Sequence, residues 1–371
     1  MRALQKICII TPTLRGGGAE KVALNLANYY STKGYIVDLV TFQSIGPYQS
    51  LVDKNVALVN LKSNRTLQLF SRLRLYFRQN LDSLIISTVR DSNAIVGLSA
   101  LFLPITLVFS EQNTLDAIYR LPLIKRFVYF LQLKLSYSKS ALVIANSEDT
   151  RADLCDAGVI SFSKSVVISN PVLPPNYLQL ADEDIDVLWL KDNQFKTILS
   201  VGRLTEQKNY TFLIDVFQEV HRSFQNARLV IIGEGEQHSL LLQLIQKYGL
   251  SEYVLILDFK INIFPYYKHA DVFALTSKWE GFGNVLVEAL SVGLPVISTN
   301  CPGGPKMILE DGYYGTLIPV GCKESYVNSL LNHLNNSIKD PNLIRYAQNF
   351  TVEAIAEEYL RVSARFFYRD H

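Results

Sequence analysis

With 371 residues the chain exceeds the ~100–200 of one ordinary domain and is expected to form two. Hydrophobic residues make up 49% and charged residues 19%, with only 13 prolines, which excludes a disordered or fibrous protein. The net charge of +2 conceals an asymmetry: residues 1–175 hold 19 Lys and Arg against 11 Asp and Glu, a net of +8, and the remainder carries −6. The four cysteines Cys8, Cys155, Cys301 and Cys322 are scattered without CxxC spacing, which points to reduced thiols rather than a disulfide framework or a thiolate zinc site.

The amino terminus carries only the short apolar run ICII, too short for a signal-peptide core. Runs rich in Val, Ile and Leu follow at 7–11, 37–42, 57–61, 83–88, 105–110, 141–147 and 166–170. Helical patterns such as Ala19–Ser31 and Leu67–Gln79 lie between most of them. Continuous apolar strands joined by helices predict a parallel sheet covered on both faces. Between Asp91 and Glu111 lie 19 residues without a charge, nearly enough to span a bilayer. Asn93, Ser99, Pro104 and Thr106 interrupt them, so the segment reads as a helix ending near Phe102 and a strand from Ile105 to Phe109.

The pattern stops between Pro171 and Asn193, where PVLPPN and the acidic tract DEDID suggest a hinge. It resumes with strands expected at 197–203, 228–235, 254–259, 271–277 and 295–300. Two parallel α/β domains joined by such a hinge enclose a cleft, and ligands of these sheets bind outside the carboxyl ends of the strands. No acid lies between Asp116 and Glu148, while Arg120, Lys125, Arg126, Lys134 and Lys139 alternate with apolar residues. That segment suits either an anionic membrane surface or an ordinary helix with a solvated basic face. No nucleic-acid-binding signature accompanies it.

Three loops carry candidate chemistry. After the first strand, Gly16-Gly17-Gly18 opens into a helix, where exposed N–H groups suit an anion; the GxGxxG and P-loop patterns are both absent. A tight strand-to-helix turn would use the same glycines. In the second half, Gly202-Arg203 ends a strand and Lys208 begins the next helix, two cations able to neutralise a diphosphate unless Glu206 pairs with one of them. The third segment, Glu280-Gly281-Phe282-Gly283-Asn284-Val285-Leu286-Val287-Glu288, places one glutamate in a loop and the other about two helical turns inside. A carboxylate accepts two hydroxyls, so sugars and riboses are natural partners; helix capping by Glu280 and a solvated Glu288 are the structural alternative.

The spacing from Glu280 to Glu288 resembles the E-x7-E motif of the retaining glycosyltransferases of family 4, enzymes of the GT-B fold. Gly16–Gly18, Ser110-Glu111-Gln112-Asn113, Ala145-Asn146-Ser147, Ser169-Asn170-Pro171, Gly202-Arg203 with Lys208 and Pro302-Gly303-Gly304-Pro305 fall in order where that family has its own segments. The resemblance implies an α/β fold of two Rossmann-like parallel-sheet domains facing each other across a cleft. It divides the chain into an acceptor-side domain (1–172), a hinge (173–194) and a donor-binding domain (195–351), with a terminal helix at about 352–371 packing back on the first.

The same resemblance implies residue roles. Arg203 and Lys208 would hold the donor diphosphate, with Gly202 beside them. Glu280 would hold hydroxyls of the transferred sugar, with N–H groups of Phe282, Gly283 and Asn284 nearby, and Glu288 would accept the ribose hydroxyls. Gly17 and Gly18 would line the cleft opposite, and Glu111, expected in a loop, would orient or deprotonate the acceptor hydroxyl. The chain departs from the family at Gly283, where Pro is common, and at Asp258-Phe259, where a glycine is common.

The activity so implied is retaining transfer of a hexose or N-acetylhexosamine from a UDP-linked donor to a lipid-linked saccharide, undecaprenyl-diphosphate-linked or similar, in O-antigen, capsule or lipopolysaccharide synthesis. It needs no metal or other cofactor, and places the protein in the cytoplasm at the inner face of the membrane. The DxD at Asp182-Glu183-Asp184 falls in the hinge and reads as linker acidity rather than a metal site. A nucleotide-sugar epimerase of the same architecture and a non-catalytic two-domain sugar-binding protein are the rival readings.

Overall fold

The computed structural model describes residues 4–63, 65–119, 121–336 and 338–370. Chain contacts divide it into two compact units: residues 1–174 with 350–371, and residues 175–349.

The first unit holds seven parallel strands, β1 (Lys6–Thr11), β2 (Ile36–Thr41), β3 (Ala57–Asn60), β4 (Ser83–Ser87), β5 (Thr106–Glu111), β6 (Leu142–Ala145) and β7 (Ser165–Val167). They pair in the order β3-β2-β1-β4-β5-β6-β7. Most of these strands are buried at nearly every position, which is why they read as unbroken apolar runs rather than alternating ones. Ile10, Ile85, Phe109 and Val143 join one core beneath the helices. The uncharged stretch splits as expected, into a helix Arg90–Ala100 and strand β5. Among the described residues no helix is long and apolar enough to cross a membrane. Most of the basic segment forms the helix Leu123–Ser138; Arg120 lies outside the described residues.

The helix Val352–Asp370 belongs to this unit. Val352 N–H donates to the Leu173 carbonyl at 2.9 Å, Tyr30 OH donates to the Ala356 carbonyl at 2.9 Å, and Tyr359 meets Ser110 at 3.0 Å.

The second unit holds β8 (Lys196–Val201), β9 (Ala227–Ile232), β10 (Val254–Leu257), β11 (Val272–Leu275), β12 (Val296–Thr299) and β13 (Thr316–Ile318), all parallel, ordered β10-β9-β8-β11-β12-β13. The strand order reverses between β8 and β11, so the loops leaving their carboxyl ends are neighbours at the topological switch point. Strand β13 was not expected: three residues after a Tyr-Tyr-Gly turn are too few to carry a period.

The expected hinge is corrected. Residues 177–191 contain two short helices, Tyr177–Ala181 and Leu188–Lys191, and pack on the second unit through buried Ala181, Ile185, Val187 and Leu190. Asn262 Nδ2 ties the Leu180 carbonyl at 2.8 Å. Asp182 meets Lys268 and Asp184 meets Lys191, each at 2.5 Å, so both carboxylates of the DxD are held by lysines.

Candidate functional site

The loop leaving β8 is shaped by glycine contacts. Gly202 has φ +155°, and a Cβ on Gly233, beyond β9, would lie 2.0 Å from the Gly202 carbonyl oxygen. Only glycine fits there. Leu204 is buried and anchors the loop, its N–H donating to the Glu234 carbonyl at 2.8 Å. Arg203 therefore projects outward, exposed, with no side-chain partner among the described residues. Asn209, in the left-handed region at φ +56°, turns the chain into the helix Tyr210–Ser223.

Lys208 turns the other way. Its Nζ lies 2.6 Å from Glu280 Oε1, and both side chains are largely buried. Ser277 Oγ donates to the same carboxylate oxygen at 2.5 Å. Two neighbouring strands thus deliver, from loops past β8 and β11, one ammonium and one carboxylate in direct contact. The loops are stitched together elsewhere too. Lys278 N–H donates to the Gln207 carbonyl at 2.8 Å, Gln207 Nε2 to the Trp279 carbonyl at 2.9 Å, and Thr276 Oγ1 to the Lys208 carbonyl at 3.0 Å. Glu206 pairs with Lys278 at 2.9 Å, not with Arg203 or Lys208 as the sequence allowed, because the stitching brings Lys278 alongside it.

A third loop, Pro302–Pro305, holds Glu280 in place. Glu280 N–H donates to the Pro302 carbonyl at 2.9 Å and Gly304 N–H to the Gly281 carbonyl at 3.0 Å. A Cβ on Gly303 would lie 2.0 Å from the Glu280 carbonyl oxygen, and one on Gly304 2.0 Å from that of Phe282. This buttress was not legible in the sequence, which marks the two glycines but not what they press against. Cys301, buried beside it, has its thiol pushed up to about 12 by burial and then by the Glu280 charge.

Gly283 has φ +98° and begins the helix Asn284–Leu290. A proline could not adopt that angle, so the departure from the family's residue changes the backbone itself. Because the helix starts at Asn284, Glu288 lies about one turn inside, not two. It is buried rather than solvated, and Tyr267 OH donates to its Oε2 at 3.2 Å. Phe282 is buried and Asn284 half-buried.

In the first unit, Gly16 has φ +106° and Gly17 caps the helix Gly18–Thr32. The Gly17 N–H is already used: it donates to Glu20 Oε2 at 2.5 Å, while Thr13 Oγ1 donates to Glu20 Oε1. A Cβ on Gly17 would meet that carboxylate at 2.5 Å, so the tight-turn alternative accounts for Gly17, and its N–H is not open to an anion. Gly18 is the first residue of the helix.

Glu111 is also corrected. It is not in a loop but ends β5, wholly buried, with Arg90 Nε at 2.8 Å, Asn93 Nδ2 at 2.7 Å and the Tyr137 hydroxyl all bonded to its carboxylate. Burial and then the Glu111 charge hold the Tyr137 phenol well above its usual range, so it donates. Arg90 also donates to the Thr114 carbonyl at 2.8 Å and to that of Asn113. A carboxylate with three donors and no solvent access fixes the 112–115 turn; it is not placed to take a proton from an acceptor.

The chain matches two family models: residues 16–174 match Glycosyltransferase Family 4, and residues 182–350 match Glycosyl transferases group 1. It is 31% identical, over 83% of its length and 84% of the relative's, to the amylovoran biosynthesis glycosyltransferase AmsD of Erwinia amylovora. It is 30% identical, over 93% of both chains, to a Campylobacter jejuni N-acetylgalactosamine-N,N'-diacetylbacillosaminyl-diphospho-undecaprenol 4-alpha-N-acetylgalactosaminyltransferase. Among solved structures, Anabaena HepE in complex with UDP and glucose superposes with a TM-score of 0.78 at 21% identity, covering 97% of this chain and all of that one. That likeness is one of fold.

Proposed function

Since the chain belongs to the family 4 glycosyltransferases of GT-B fold, we propose that it moves a hexose or N-acetylhexosamine, with retention, from a UDP-linked donor to a hydroxyl of a lipid-linked saccharide in cell-surface polysaccharide synthesis. The observation that carries the reading is the Lys208–Glu280 contact at the switch point of the second sheet, with the exposed Arg203 on the same loop as Lys208. The Erwinia relative's name places that protein in amylovoran biosynthesis, and the Campylobacter relative's name gives a diphospho-undecaprenol acceptor. Those names support the polysaccharide context and the lipid-linked acceptor proposed here.

The chemistry follows from the charges. The bond from the anomeric carbon to the diphosphate breaks, a bond to the acceptor oxygen forms on the same face, and the acceptor proton passes to the departing phosphate. The developing charge on that phosphate is the quantity to be stabilised. Arg203 meets it with a fork that no other side chain occupies among the described residues. Lys208 is shared: a bound diphosphate draws its ammonium from Glu280, and the released carboxylate accepts hydroxyls of the sugar instead. Donor binding thus prepares Glu280 for its second role. Glu288, held by Tyr267, accepts the ribose hydroxyls, and the N–H groups of Phe282, Gly283 and Asn284 lie at the donor phosphates or sugar. Arg203 and Lys208 supply the positive charge that a metal supplies elsewhere, and the DxD carboxylates are engaged by Lys268 and Lys191.

The test is UDP release from a panel of UDP-sugars, with and without a polyprenyl-diphosphate-linked saccharide. Release that requires the acceptor, with the product's anomeric configuration matching the donor's, is expected. Interconversion of the donor without acceptor would mark an epimerase, and binding without turnover a sugar-binding protein.

A further inference from the structure

We propose that the outward face of the helix Leu123–Ser138, with the nearby helix Thr66–Gln79 and Phe102, is the surface by which the protein lies on an anionic phospholipid bilayer. The inner face of Leu123–Ser138 is firmly docked. Leu133, Ser136 and Tyr137 are buried, and Gly97 of the Arg90–Ala100 helix sits so close that a Cβ there would be 2.5 Å from the Ser136 carbonyl oxygen. The opposite face should then be polar, as on an ordinary surface helix. It is instead apolar: Ile124, Phe127, Val128, Leu131 and Leu135 recur at three- and four-residue steps along one stripe. Ile124 is 81% exposed, Phe127 69% and Leu131 59%. A contiguous apolar stripe of this length on a soluble surface marks a docking site.

Two neighbours extend it. The Arg90–Ala100 helix packs between Leu123–Ser138 and Thr66–Gln79, and the latter exposes Leu67, Phe70 and Leu75. Phe102 follows Arg90–Ala100 at φ +63° and is 95% exposed.

The charges select the occupant. Residues 54–81 and 117–147 contain no Asp or Glu, while Arg72, Arg78, Lys125 and Lys134 border the apolar side chains. Lys125 and Lys134 form no ion pair among the described residues. Asp91 on the adjoining helix, which accepts from Tyr129 OH at 3.0 Å, is an acid beside this surface. Apolar residues bordered mainly by cations match the acyl boundary and headgroups of an anionic leaflet. The helix has 16 residues, about 24 Å, and one buried face, so it lies in the interface and does not span.

The test floats the full-length protein with vesicles of phosphatidylcholine alone or with added phosphatidylglycerol, at low and high salt. Capture is expected on the phosphatidylglycerol vesicles, weaker in high salt, with slowed amide exchange over residues 121–138. Combined Ile124→Ser, Phe127→Ser and Leu131→Ser should weaken capture by about tenfold or more, and Lys125→Glu with Lys134→Glu should weaken it on anionic vesicles. These side chains are exposed, so unchanged melting temperatures check that both variants fold. No capture of the wild type on anionic vesicles, or capture that neither set weakens, would overturn the proposal. So would a wild-type dimer that the serine variant dissociates, which would place a second copy on this face. The assay contains no sugar donor, so its outcome is independent of the transferase reading, and UDP binding by the serine variant should match the wild type.

Discussion

Arg203 and Lys208 stand on one loop in opposite electrostatic states. Arg203 is exposed and has no side-chain partner among the described residues, whereas Lys208 is committed to Glu280 at 2.6 Å. Removing Lys208 would strand a buried carboxylate, a cost of about 3–5 kcal/mol that says nothing about ligand. Changing Glu280→Gln is more informative. It keeps the shape and leaves Lys208 free for phosphate, so turnover should fall on the order of 100-fold while UDP affinity is unchanged or rises. Steady-state kinetics and calorimetric titration with UDP check both halves. Glu288→Ala should instead weaken UDP by about tenfold, in keeping with a lost hydroxyl contact. The sequence marked these side chains because E-x7-E and Gly-Arg with Lys are local patterns. It could not show that Lys208 and Glu280 touch across 72 residues, nor that Glu111 is buried under Arg90, since both depend on strand order.

Two buried thiols make stability pH-dependent. Burial raises Cys8 to about 11 and Cys301 to about 12, from an ordinary value near 9. Between pH 9 and 11 the unfolded chain releases protons that the folded chain keeps, so folded stability is full below pH 9 and falls as pH rises. The loss is up to about 1.4 kcal/mol per pH unit for each thiol. Denaturant unfolding at pH 8 and pH 10 should show the fall, and Cys301→Ser should make it shallower.

At the scale of elements, the site is three loops fastened edge to edge: Gly202–Asn209, Thr276–Gly283 and Pro302–Pro305. Gly303 and Gly304 allow the last to press on the second with no room for a side chain. Gly304→Ala should therefore displace Phe282 and the start of the Asn284–Leu290 helix. We expect a stability loss of about 1–3 kcal/mol, read from denaturant midpoints, and a larger drop in turnover than in UDP affinity. A fully active Gly304→Ala would show that the buttress does not position Glu280. Strands were the most legible elements, because a parallel strand buried on both faces leaves a run of Val, Ile and Leu. The 173–194 stretch was not, because prolines and acids resemble a linker even when Ile185 and Leu190 anchor it to a sheet. The 117–147 segment showed its charge in the sequence but not its orientation. Only the docked inner face reveals that the apolar side chains point outward.

At the scale of the molecule, the chain closes its first unit with its last helix. Tyr30, Ser110 and Leu173 all depend on Val352–Asp370 for hydrogen bonds. A chain ending at Phe350 would expose buried Tyr30 and the Ser110 region, and should show an early unfolding transition by calorimetry while the second unit melts as before. Retention of a single unshifted transition would contradict that dependence. Both units were legible as alternating strands and helices, but the return of the final helix was implied by family resemblance alone.

The account rests on a diphosphate held by the second unit. Calorimetric titration of UDP and of uridine against the wild type and Arg203→Ala tests this most directly, because Arg203 has no side-chain partner to lose among the described residues. UDP affinity should fall by about 10- to 100-fold, the worth of a charged hydrogen-bonding pair, while uridine affinity stays constant. UDP bound equally tightly by both proteins would contradict it.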